Sequence, residues 1–555
     1  MADFEVIPYR IRIGVTGHRK LDDPAAVQAM VKKAIDAEVE KLFSEESRQN
    51  IERVRRAGTT AISFRVLSPL AEGADRVVAR AVLDYPGARL DVVLPLTVED
   101  YLEDFETEES KKEFRDLLAW CRRPVLLRTR RVRDDRHDPG DQADVRRDAY
   151  KQAGRYVVDH CDVLVALWDR QPPRGRGGTA EIVTYAEEQS RPVIRVWGDA
   201  FEVLSPENNN GLDASALDRI DRFNRQPITP GQRSAYAKHL DRDHFEKPST
   251  AGAIPSGVRE LVNRCLFPYY AQASIMAKES QKRFYRAGMF IYVLSAAAVG
   301  CAAVGVLFRS LAGVGFGAEL VLLIVTLLTL RQARRKDSHQ GWIENRFLAE
   351  RIRCGIFMAI CGVEPGPIEV LPYMGHSQTV NDWTVRVFDE IWDRLPPLAG
   401  CSQGECLILN PYVREVWIER QVSFHTGKEK REGRARRRLA RAGEIVLPTT
   451  IAAAALHLLL LPVSVESADN VLAFIALLFP AVAASLAGME AHREHLRLEK
   501  RSANMAPQLE RLNRQMASAT DPERFETLLR QVDEIMLRET QDWLMLMRYV
   551  EIKAG

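Results

Sequence analysis

Three short stretches in the first 200 residues place glycines, hydroxyls and carboxylates where an apolar run gives way to a helix-opening pattern. The first is Thr16-Gly17-His18-Arg19, between the apolar run 11–15 (IRIGV) and Leu21-Asp22-Asp23-Pro24. A glycine turn there leaves backbone N–H groups free at the carboxyl edge of a sheet, where phosphates bind. The second is Ser68-Pro69-Leu70-Ala71-Glu72-Gly73-Ala74-Asp75, after the run 63–67. Ser68 ahead of a proline reads as a helix cap. Gly73 allows close backbone approach, and Asp75 can hold a ribose or a neighbouring loop. The third begins at the buried run 163–167, which ends in Trp168-Asp169. After a basic loop carrying Arg174 and Arg176, Gly177-Gly178-Thr179-Ala180-Glu181 opens a helix. Paired glycines permit a tight turn, and the threonine hydroxyl with first-turn amides can hold a phosphate. Glu181 is open to two readings: a carboxylate favoured by the helix dipole, or a ribose contact or catalytic acid. His18 and His160 are candidate acid–base groups or structural histidines.

These stretches need a scaffold that brings three strand ends together. Runs at 11–15, 63–67, 90–94, 124–127 and 163–167 alternate with helical patterns, which predicts an α/β domain with a mostly parallel sheet over residues 1–200. An acidic helix over 98–109 reads as a solvated face.

The chain of 555 residues is too long for one core. With 78 basic and 76 acidic residues its net charge is +2, which argues against a nucleic-acid binder. The eight cysteines form no CxxC pair. Cys401 and Cys406 are close enough for a bridge or a metal pair, but no His/Cys set completes a site, so no metal is expected and the thiols read as reduced. The first ten residues, MADFEVIPYR, lack the apolar core of a signal peptide.

Four apolar segments follow, at 287–308, 311–330, 445–465 and 471–489. Each is long enough to cross a bilayer core of about 30 Å. The competing reading is buried helices of a large soluble protein. Against it, each segment has a charge cluster on one side only and each pair is joined by a very short loop. Lysines and arginines precede the first and third segments and follow the second and fourth, which places all long polar parts and both termini in the cytoplasm. Glu319 reads as lying near a membrane edge; His457, nearer the middle, is a candidate to face a pore or a partner helix. The small-residue run 296–305 (AAAVGCAAVG) allows close helix packing and suits a homo-oligomer. The two hairpins share a plan of basic lead-in, two segments and a charged exit helix.

In the order GVTGHR, SPLAEGAD, LWD and GGTAE, residues 8–200 resemble the SLOG superfamily. Its relatives include Lonely Guy phosphoribohydrolases and nucleotide-sensing domains of bacterial defence proteins. Residues 265–555 resemble, as a tandem pair, the SLATT family of two-helix membrane effectors. The resemblance implies a Rossmann-like SLOG domain (1–200) and a linker or helical extension (201–264). A first two-span unit (265–370), a connecting segment (371–411) and a second two-span unit (412–555) follow. The whole is an α/β domain followed by an all-α membrane region with four transmembrane helices and long cytosolic helices. It further implies a nucleotide-derived ligand lined by Thr16, Gly17, His18, Arg19, Ser68, Glu72, Gly73, Asp75, Trp168, Asp169, Gly177, Gly178, Thr179 and Glu181, with no other cofactor. The expected protein is a multi-pass inner-membrane effector in bacterial defence whose partners are a small nucleotide and the lipid bilayer. The alternatives are a membrane-anchored nucleotide hydrolase and a non-catalytic scaffold. Phosphoribohydrolases carry a longer glycine motif, and Glu181 sits one residue closer to its threonine than theirs does.

Overall fold

The computed structural model describes residues 4–127, 139–171, 178–204, 212–225, 228–335, 338–365, 382–398, 400–460 and 466–548. They form two compact units. One takes the described residues of 4–227 and 368–397, the other those of 228–367 and 398–555.

The first unit is built on a seven-stranded sheet. In chain order it contains β1 (Tyr9–Gly17), α1 (Pro24–Glu38), α2 (Glu45–Ala57), β2 (Ile62–Ser68), α3 (Ala74–Leu83), β3 (Arg89–Leu94), α4 (Val98–Leu102), α5 (Glu108–Leu118), β4 (Val125–Leu126), α6 (Pro139–His160), β5 (Val163–Leu167), α7 (Thr179–Glu188), β6 (Val193–Trp197), β7 (Ala200–Leu204) and α8 (Ser215–Arg225). The strand order is β4-β3-β2-β1-β5-β6-β7, parallel except for β7, which pairs antiparallel with β6. All five residues of β5 are buried, as expected of a strand covered on both faces. The acidic stretch after β3 is two helices rather than one. Thr97 and Thr107 each cap a start, accepting from the amides of Asp100 and Ser110. The sheet also runs past residue 200, because Gly198, at φ +56°, turns β6 back into β7.

The second unit is helical: α9 (Pro230–Phe245), α10 (Ser256–Cys265), α11 (Phe267–Leu307), α12 (Ala312–Arg335) and α13 (Ser338–Ile360). The chain then supplies α14 (Asp382–Trp392) to the first unit and returns as α15 (Gln403–Tyr412), a π-helical stretch (Val413–Glu419), α16 (Arg420–Leu460), α17 (Glu466–Arg493), α18 (His495–Ala517) and α19 (Pro522–Arg548). Among the described residues four helical stretches are long and apolar enough to cross a membrane, and their most apolar windows are only 28%, 11%, 6% and 6% buried. That exposure is opposite to what the core of a soluble protein would show. Together with their composition it suggests membrane association.

The first hairpin closes through glycines. A Cβ on Gly315 would lie 2.7 Å from Gly305 Cα, so α11 and α12 touch backbone to backbone near their turn. Between hairpins, Gly288 of α11 receives the His492 ring and Gly488 of α17 receives Tyr292. His457 does not stand alone at mid-span: its Nδ1 lies 2.7 Å from Asp469 Oδ1, which joins α16 to α17. Glu319 is half-buried in the half of α12 nearer the hairpin turn. All eight cysteines are free thiols, Cys401 and Cys406 among them.

Candidate ligand site at the sheet edge

The strand order reverses between β1 and β5, because β2 lies to one side of β1 and β5 to the other. In open parallel sheets the loops leaving the carboxyl ends of two such strands part and leave a crevice. Here those loops are His18-Arg19 and Trp168-Asp169, two of the stretches singled out by residue type.

The glycines bring the loops into contact. A Cβ on Gly17 would sit 2.4 Å from Ala74 Cβ and 2.8 Å from Leu167 Cβ. Gly73 has φ +80°, and a Cβ there would lie 2.2 Å from the Arg19 carbonyl oxygen. Both positions are therefore glycine for close backbone approach. The Ala74 amide donates to the His18 carbonyl at 3.0 Å, which ties the start of α3 to the β1 loop.

His18 and Asp169 meet across the reversal point. His18 Nε2 lies 3.1 Å from Asp169 Oδ1 and 3.3 Å from the Asp169 amide nitrogen. Neutral, the ring accepts from the amide; protonated, it faces the carboxylate. The ring also packs edge-on against Trp197, at 5.3 Å between centroids. Trp168 donates its indole N–H to the Gln171 carbonyl, while its own carbonyl accepts from Arg195 Nε at 2.9 Å. The result is an aromatic wall at the carboxyl ends of β5 and β6, backed by Arg195, whose guanidinium also pairs with Glu202 at 2.6 Å.

The Ser68–Asp75 stretch works differently from a helix cap. Ser68 is buried; its hydroxyl accepts from the Leu70 amide and donates to the Asp75 carbonyl, and the cap of α3 is Gly73, five residues later. Glu72 accepts from Ser110 and from the Glu106 amide, so it fastens the start of α5. Asp75 accepts from the Ala71 amide at 3.1 Å. Burial pushes its carboxyl up to about 7, against the pull of that amide, Arg19 and Arg76. The loop contact open to Asp75 is thus made. Arg19 lies over the Tyr150 ring, 5.4 Å from its centroid.

Helix starts decide where an anion can sit. The start of α1 is closed by its own Asp23, whose carboxylate takes the amides of Ala25 and Ala26. Among the described residues the start of α7 has no side-chain cap: Gly178 is its N-cap, and Thr179 its first residue. Glu181 points to α6, where Lys151 Nζ lies 2.5 Å from Oε1. Gly177, Arg174 and Arg176 lie outside the described residues. Thr16, the penultimate residue of β1, pairs with Ala166 of β5. His160, at the end of α6, hydrogen-bonds the Tyr156 carbonyl and stacks on its ring.

The structure thus joins His18, Asp169 and the Gly17/Gly73 contact, sets Trp168 beside them, and turns Glu72 and Glu181 to partners of their own. Trp197, Arg195, Tyr150 and Lys151 were not singled out by residue type. The run RPVIRVW was the available signal for the first two, since another parallel strand beside β5 must end at the same edge.

Comparison with known proteins finds one relationship. No curated protein and no solved structure matches the chain. Residues 412–543, from the end of α15 into α19, match the family model SLATT_1, the SMODS and SLOG-associating 2TM effector domain 1.

Proposed function

We propose that the chain is a membrane effector of bacterial defence. Its α/β unit takes a nucleotide-derived ligand at the β1/β5 edge, and its four apolar helices span the inner membrane and assemble to permeabilise it. The observation that carries the proposal is the effector-domain match over the second hairpin, in a chain that also holds a parallel sheet with a reversal point. A tandem origin is supported by helix lengths. The lead-in helices α11 and α16 each have 41 residues, the exit helices α13 and α18 each have 23, and the return helices have 24 and 28. The start of α7, which has no side-chain cap among the described residues, supports an anionic ligand. Binding opens the helices only if the ligand prefers the open state.

The Glu181–Lys151 pair favours a receptor over a hydrolase. The carboxylate is already engaged by the Lys151 ammonium group of α6. The test uses the full chain in liposomes loaded with a self-quenching dye, screened against cyclic and ADP-ribose-like nucleotides, with the nucleotides followed by chromatography. The receptor reading expects dye release that needs intact nucleotide and disappears in Gly178→Trp. Turnover abolished by Glu181→Gln would replace it with the hydrolase reading. Neither release nor binding with any nucleotide would leave a scaffold.

A further inference from the structure

The helical unit contains a cavity of about 710 Å³ between α11, α12 and the end of α17. Its lining changes character along α11. Lys282 and Arg286 stand at one end and Met289, Phe290 and Val293 at the other, with Arg493 of α17 on the cationic side. From residue 282 to residue 293 the helix rises about 16 Å, and the change falls where the polar lead-in becomes the apolar segment.

The three cations are available. Among the described residues, none of them has a carboxylate partner; Arg493 lies over the Tyr285 ring, 5.4 Å from its centroid. The acids close enough to act on Tyr285 are Glu432 and Glu494. Each has its own partner, His495 at 2.6 Å and Arg497 at 2.7 Å. Three unpaired cations above an apolar wall match one chemistry: a phosphate-bearing headgroup with acyl chains beneath it.

We infer that this cavity is a binding site for an anionic phospholipid, its phosphate held by Lys282, Arg286 and Arg493 and its acyl chains lying on Met289, Phe290 and Val293. The inference rests on the proposal that the apolar helices span the membrane. The site joins the two hairpins through one lipid, since α11 and α12 belong to the first and α17 to the second.

The experiment reconstitutes the full chain into vesicles of phosphatidylcholine with and without phosphatidylglycerol. It then measures the phosphatidylglycerol that stays bound through detergent purification and the shift in melting temperature that this lipid causes. Each cation near the surface changes lipid preference about fivefold, so Lys282→Gln/Arg286→Gln/Arg493→Gln should lose about a hundredfold of the preference for the anionic lipid. Val293→Trp, which fills the apolar end and leaves the cations, should lose retention too. Arg434→Gln/Arg438→Gln, basic residues outside the cavity, should retain it. Glycerol phosphate added to the detergent-solubilised protein should give no shift, and a shift equal to that of the lipid would overturn the site in favour of a free-phosphate pocket. Equal retention by the triple variant, with its melting in phosphatidylcholine unchanged, would overturn the site while leaving the spans standing. Failure of the wild-type chain to stay with vesicles of either composition would overturn the spanning reading and the site with it.

Discussion

Removing α14 should unfold the α/β unit. Arg12, Arg65 and Arg89 stand side by side in register on β1, β2 and β3, on one face of a sheet that must be covered. Their counter-charges come largely from residues more than 300 positions away. Arg65 reaches Glu390 at 2.7 Å and Asp393 at 2.8 Å, besides Asp91 at 3.0 Å. Glu390 also pairs with Arg10, and Arg386 pairs with Asp162 at 2.6 Å. Around these charges Trp383, Val387, Phe388, Ile391, Trp392 and Leu395 are at most 5% exposed, with Trp383 against Phe223 of α8 and Trp392 beneath Arg123. Six such side chains contribute about 9 to 18 kcal/mol of burial as an upper bound, against a net stability of about 5 to 15 kcal/mol for a whole domain. A polypeptide of residues 4–227 should therefore fail to fold, and a peptide of residues 382–398 added in trans should restore a cooperative melt by circular dichroism. In the full chain, Glu390→Gln leaves the Arg10 guanidinium buried without its ion-pair partner and should destabilise the unit by about 3 kcal/mol. Adding Arg10→Gln should recover part of that loss. A cooperative melt for residues 4–227 alone, unchanged by the peptide, would refute the reasoning.

Gly73→Ala forces a side chain into φ +80° and against the Arg19 carbonyl, so it should cost at least about 2 kcal/mol and free the β1 loop, read as faster amide exchange at Ala74. Asp75 gives a pH dependence with a defined sign. Its folded value of about 7 lies above its ordinary 3.8, so the folded state keeps a proton that the unfolded chain has lost. Stability is full below pH 3.8, falls as pH rises to about 7, and is flat above; the total is at most about 4 kcal/mol. Asp75→Asn should be flat across this window and more stable than wild type at pH 8, and parallel melting curves for the two would show the carboxyl to be ionised throughout. Gly488→Leu should push Tyr292 out of its groove and part α17 from α11, seen as lost cysteine cross-linking between engineered pairs on the two helices while α11 to α12 pairs still link.

The strands at the candidate site were legible because each ends in its own punctuation: GHR after β1, LWD after β5, the glycine of α3 after β2. The apolar helices were legible for the same local reason, uninterrupted runs beside charge clusters. What was not legible needed partners far along the chain. Residues 371–411 read as a connection, yet 382–392 (DWTVRVFDEIW) repeats apolar residues at helical spacing. The strands it covers carry Arg10, Arg12, Arg65 and Arg89, charges that a doubly covered parallel sheet cannot bury alone. Those arginines were the visible signal that an acidic element had to arrive from elsewhere, and only the fold says which. Side-chain roles at the site were hidden similarly, since nothing in GGTAE announces Lys151, nor anything in SPLAEGAD the Ser110 that occupies Glu72. In chain order α14 lies between the exit helix of the first hairpin and the lead-in of the second, yet it folds with the α/β unit.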